Sequence, residues 1–339
     1  MRRGRSGWLW LALLALAPMS HAARLEFVWP TPDPAFMAGR SSRTFLQQAG
    51  SGDPASGGYG AVRSGGRQFH EGLDLKPLRR DRRGEPLDEV RAAMAGVVRH
   101  VNAVAGKSSY GRYIVIEHPD LTPAVYTLYA HLNRIEKGVT AGTTVRAGQT
   151  IGTMGHTAGG YSIPKSRAHL HFEIGLWITR SFQRWYDRRK FGSANDHGIW
   201  NGMNLMGIDP LDFLTRWRDG RMDTLQEYFA SMPVAVRIKV ATKRVPDFVE
   251  RYPSLLKQPV PAAGVAGWEI GFERSGLPVT WKPLAWNEVL GLTPERPEIV
   301  AVDAAVVRNF PCKDLVRARR GGGWTIDRDL QTVLQQLFL

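Results

Sequence analysis

A chain of 339 residues, 43% hydrophobic and 22% charged, is long enough for two or three packed domains and too apolar to be disordered. Its net charge of +14 suits an anionic partner such as a cell wall, a phospholipid surface or extracellular nucleic acid, and no nucleic-acid motif favours the last. One cysteine, Cys312, excludes an internal disulfide and reads most simply as a buried thiol.

Residues 1–22 read as a secretory signal peptide: Arg2, Arg3 and Arg5 precede an apolar run from Trp8 to Ala17, followed by Pro18 and the small-residue site Ser20-His21-Ala22. Such a run is shorter than the roughly 20 residues that span a bilayer, and no later segment is apolar for long enough. The mature chain is therefore expected to be exported, to a periplasm or a cell wall, with no transmembrane anchor. It would carry about +11 once the three arginines are removed (14 − 3).

Residues 23–68 form an extended segment, with Trp29-Pro30, Pro32 and Pro34 leading into a stretch rich in Gly, Ser and Arg that disfavours helices. From Phe69 to Ile174 short strand signals recur between glycines: Gly96 to Val101, Tyr113 to Glu117, Val125 to Tyr129 and Thr150 to Gly152. Their regular spacing predicts a mainly β domain over 69–219. Within it, 177–204 reads as an aromatic and basic insertion. It either grips polymer or membrane through Trp185, Tyr186, Arg188 and Arg189, or packs its own aromatics. Residues Gly207 to Leu214 turn into a closing helix. A smaller α+β domain over 220–339 follows, with strands at Pro233 to Val240 and Ile299 to Val307 and a hairpin around Ser275-Gly276. Its last helix carries Leu330, Val333, Leu334 and Leu337 on one face.

The chemistry gathers on Ala168 to Ile174, which alternates as a strand with His169 and His171 on one face and Leu170, Phe172 and Ile174 on the other. His70 and Asp74, in Phe69-His70-Glu71-Gly72-Leu73-Asp74, are a nitrogen and an oxygen donor of the kind zinc takes. With His171 they make three ligands and leave a fourth position open, as catalytic zinc sites do. Glu71 is not assigned as a general base, because Gly72 and Pro77 disfavour the helix of a His-Glu-x-x-His motif. His131, at the end of the strand that closes in Tyr129, is a candidate with His169 for proton transfer and oxyanion hydrogen bonding. His100, His118, His156 and His197 read as structural. Glu173 reads either as a partner of the site or as an ordinary solvent-facing glutamate.

Phe69 to Asp74, Tyr129-Ala130-His131-Leu132 and His169-Leu170-His171-Phe172-Glu173, in this order, resemble the lysostaphin-type (LytM-like) zinc endopeptidases of bacterial cell walls. Val90 to Val98, Tyr110 to Ile116 and Gly148 to Gly152 fit the same pattern, and the resemblance runs from about Trp29 to Leu214. It implies a compact antiparallel β fold whose groove holds one zinc ion through His70, Asp74 and His171, with His131 and His169 as catalytic histidines. The implied reaction is hydrolysis of peptide bonds in peptidoglycan stems or bridges by zinc-bound water. Relatives that lost their ligands are non-catalytic wall-binding or hydrolase-activating modules, whereas this chain keeps every ligand position. It departs from the family in a longer turn between Gly155 and His169 and in the 177–204 insertion. No asparagine lies between Ala23 and His70 to block the metal as in latent members.

Overall fold

A computed structural model describes residues 23–309 and 312–338, so the signal-peptide reading lies outside the described residues. The leading segment is not loose. Trp29 stacks on Phe36 with ring centroids 4.2 Å apart, and Phe45 meets both edge-on, all three buried. The prolines set the bends that bring these rings together. The segment ends in strand β1 (Gly60–Arg63), antiparallel to β2 (Gln68–His70).

The central sheet has seven strands, antiparallel throughout. The order is β12 (Leu205–Gly207), β11 (Leu170–Trp177), β7 (Tyr126–Ala130), β6 (Tyr113–Glu117), β5 (Gly96–Asn102) and β9 (Thr144–Val145), with β3 (Leu73–Leu75) also paired to β11. A second sheet joins β4 (Glu89–Arg91), β10 (Thr150–Thr153) and β8 (Arg134–Ile135). This architecture is the mainly β one that the strand spacing predicts. All of β11 is buried, including the face that carries His171 and Glu173, because both faces of the strand are covered. The strand starts at Leu170, and His169 is held beside it by a single bridge to Gly155.

The 177–204 segment contains helix α1 (Phe182–Arg189), whose Phe182, Trp185 and Tyr186 form a buried cluster of their own. Its aromatics are packing, with the arginines left outside. Helix α2 (Pro210–Arg218) starts at the Asp209 cap, whose side chain accepts from Leu211 and Asp212 N–H.

Beyond it, α3 (Leu225–Ser231) opens with a Thr224/Glu227 capping box. A four-stranded antiparallel sheet follows in the order β15 (Pro278–Leu284), β14 (Gly267–Phe272), β13 (Val236–Ala241) and β16 (Glu298–Val302), with α4 (Asp247–Arg251) between β13 and β14. The strand expected over Ile299 to Val307 stops at Val302, because Asp303 caps helix α5 (Ala304–Arg308). The hairpin β17 (Val316–Ala318) and β18 (Trp324–Ile326) leads to α6 (Arg328–Leu337), which buries Leu330, Val333, Leu334 and Leu337. One continuous apolar cluster runs from Leu25 to Leu337 and joins both parts of the chain. Cys312 is half-buried rather than buried.

Candidate metal centre and groove

Strand pairing assembles the site. Asp74 on β3 lies directly opposite His171 on β11, and His171 lies opposite Ala130 on β7, the residue before His131. Between His70 and Asp74 the chain passes so close to β11 that a Cβ on Gly72 would stand 2.3 Å from the Phe172 carbonyl oxygen. Only glycine permits that approach. His131 has φ of +61°, a left-handed backbone unusual for a side chain other than glycine. Its N–H bonds the Tyr110 carbonyl at 2.9 Å, and the turn aims the ring back over the sheet.

Five residues meet there. His70 Nε2 is 3.1 Å from Asp74 Oδ1 and 3.0 Å from His171 Nδ1, and His171 Nδ1 is 3.1 Å from Asp74 Oδ1. Three donor atoms of a tetrahedral zinc site with bonds of about 2.0–2.1 Å stand roughly 3.3 Å apart, so this triangle has the size and donor chemistry to hold a metal ion. The other atoms of the same residues are already committed. His70 Nδ1 donates to Gly58 O at 2.7 Å, which leaves Nε2 as the free lone pair. His171 Nε2 donates to Glu173 Oε1 at 2.8 Å, and the Arg63 guanidinium pairs with Asp74 Oδ2. His131 and His169 stand with ring centroids 4.8 Å apart. Their Nδ1 atoms donate to the carbonyls of Thr157 at 2.8 Å and Arg167 at 2.7 Å, so in the neutral rings Nε2 carries the lone pair.

Burial and charge set the protonation. Desolvation depresses the His131 and His169 pKa values, and the neighbouring histidines add to it for both. Burial works against ionisation of Asp74, but the His169 and His70 charges and hydrogen bonds from His171 and His70 hold its carboxyl well below the usual range. For His171 burial alone would depress the pKa, yet hydrogen bonds to Asp74 and Glu173 push it up to about 9.

Glu173 is buried and belongs to the site. Tyr110 donates to its Oε1 at 2.6 Å and Tyr126 to its Oε2 at 2.7 Å. Burial and the Glu173 charge both raise these phenols, which keeps them protonated as donors. Sequence reasoning missed Arg63, Tyr110 and Tyr126, since long-range pairing onto a ligand leaves no local pattern. For Glu173, its place two residues after His171 was the available signal. His118 is a satisfied core histidine, between Ala95 O and Thr127 Oγ1, each at 2.8 Å. His100 and His197 bond each other at 3.2 Å, and His156 bonds Ile163 O and Glu85. The five residues open into a groove of about 950 Å³ that is also lined by Tyr110, Tyr161, Asn201 and part of α6.

Residues 68–181 match the model of Peptidase family M23. It is similar to several solved structures. A putative glycyl-glycine endopeptidase LytM from Ruminococcus gnavus is 28% identical over 34% of this chain and 42% of that one, with a TM-score of 0.27. A zinc-containing peptidase from Vibrio cholerae is 25% identical over 45% and 36%, with a TM-score of 0.29. The catalytic domain of lysostaphin, an antimicrobial peptidase from Staphylococcus simulans, is 23% identical over 47% and 89%, with a TM-score of 0.30. The matched part spans less than half of the Ruminococcus and Vibrio chains. No curated protein matches the chain. Among the described residues no helix is long and apolar enough to cross a membrane.

Proposed function

We propose that this chain is an exported zinc-dependent endopeptidase that hydrolyses peptide bonds in the stem peptides or cross-bridges of peptidoglycan. One observation carries the reading: three donor atoms, on His70, Asp74 and His171, converge at 3.0–3.1 Å while their remaining polar atoms are taken by Gly58, Arg63 and Glu173. A site that turns three donor atoms toward one point and ties up the other polar atoms of the same residues suits a cation. The match of residues 68–181 to Peptidase family M23 supports a peptidase, and the basic charge supports an anionic wall as substrate.

His70 Nε2, Asp74 Oδ1 and His171 Nδ1 would hold the ion. Bound zinc supplies a Lewis acid for a carbonyl oxygen and makes water acidic enough to react near pH 7. The remaining work falls to the chain. Burial keeps His131 and His169 neutral, and the Thr157 and Arg167 carbonyls fix their tautomers, so either Nε2 can take a proton from attacking water. The resulting imidazolium N–H then donates to the oxyanion that develops on the substrate, and later returns the proton to the leaving amine.

Digestion of peptidoglycan of several cross-link types by the purified mature protein, with mass analysis of the released muropeptides, tests the reading. Soluble peptide fragments are expected, abolished by a chelator and restored by zinc. A zinc-loaded protein that releases none from any wall would refute it.

A further inference from the structure

The C-terminal part, to which the sequence assigns no role, forms one side of the groove. Lys313, Asp329, Thr332, Val333 and Gln336 line the same cavity as the five site residues. This wall is docked firmly. The buried Gln336 amide donates to Met203 O at 2.9 Å, and Gly276 lets Leu315, Met206 and Val333 close around it.

Charge on the lining is unbalanced. Arg63 is tied to Asp74 and Lys107 to Asp196 at 3.4 Å, while Asp329 accepts from Asp314 N–H and Arg328. Arg167 and Lys313 have no carboxylate within 4.0 Å among the described residues, and Glu71 is the lining acid left without a cation. One free cation is attached to each histidine segment. Lys313 Nζ stands 4.1 Å from the ring centroid of Phe69, the residue before His70, and Arg167 accepts through its carbonyl from the His169 ring. Each is only partly exposed, so a ligand carboxylate reaching it would be attracted more strongly than at an open surface.

We infer that Lys313, presented by the C-terminal wall, and Arg167 select peptides that carry a free carboxylate beside the scissile bond. The inference rests on the peptidase reading and adds the substrate's charge to it. It also gives the C-terminal part a task, as the wall that places Lys313.

The test uses matched muropeptides that differ in one side-chain group, carboxylate or carboxamide. The zinc-loaded protein is expected to favour the carboxylate form by about tenfold or more in kcat/KM, mainly through KM. Lys313→Met and Arg167→Met should each shrink that ratio, and Lys313→Arg should preserve it. Equal cleavage of both forms, or a ratio that neither substitution to Met changes, overturns the inference. Calorimetric binding of the same peptides gives a readout without turnover. Tighter binding of the carboxylate form that Lys313→Met abolishes supports the inference even where no cleavage occurs, in which case the peptidase reading fails alone. Equal binding of both forms overturns the inference.

Discussion

His169 and His171 are neighbours in sequence, but their ring nitrogens have different commitments. His171 turns Nδ1 toward Asp74 and His70, whereas His169 spends Nδ1 on a carbonyl and sets Nε2 3.4 Å from Asp74 Oδ1, at the edge of the ligand triangle. His171→Ala is therefore expected to lose both bound zinc and cleavage, measured by metal analysis and muropeptide release. His169→Ala should retain zinc and lose activity by about 10²–10⁴-fold. If His169→Ala also lost the metal, the division of roles would be wrong. Glu173 acts through His171 and is fixed by two phenols. Glu173→Gln should weaken zinc binding by about 10–100-fold in a chelator competition, with the fold intact by circular dichroism.

Strands carry the next level of consequence. His118 directly follows β6 as a neutral ring bonded to Ala95 O and Thr127 Oγ1, and burial lowers its pKa to about 4. In the unfolded chain an ordinary histidine titrates near 6.5. Below that value the unfolded state binds a proton that the folded state refuses, so stability falls as pH drops from 6.5 to 4 and levels off below. The contribution is at most about 3 kcal/mol. Denaturant unfolding of the wild type and His118→Gln across this window should show a shallower pH slope in the variant. Parallel slopes would contradict it. The strands themselves were legible, since alternation and glycine spacing mark β5, β6, β7 and β11 to within a few residues. Ile299 to Val307 misleads because an apolar run looks alike in strand and helix, and only the Asp303 cap separates them. The order of His70, Asp74, His131, His169 and His171 was readable as a set, while Arg63 and the tyrosines reach Asp74 and Glu173 only through folding. The leading segment hid its packing because its three aromatic residues are separated by proline-directed bends that have no period.

At the scale of the molecule, the continuous apolar cluster couples the β domain to the C-terminal part. Calorimetry of the protein should show one cooperative melting transition, and two well-separated transitions would indicate independent units. The leading described segment is clasped in the same way. Leu25 N–H bonds Asp223 O at 2.9 Å and Trp217 Nε1 bonds Leu25 O at 3.0 Å.

These closures impose an order in time. A chain emerging from its N-terminus carries all five site residues once His171 has appeared, yet its leading segment cannot be fastened until Asp223 follows. The groove gains its last wall only when Gln336 reaches Met203. As the chain is synthesised, the groove therefore lacks one of its sides until α6, the last helix, is in place.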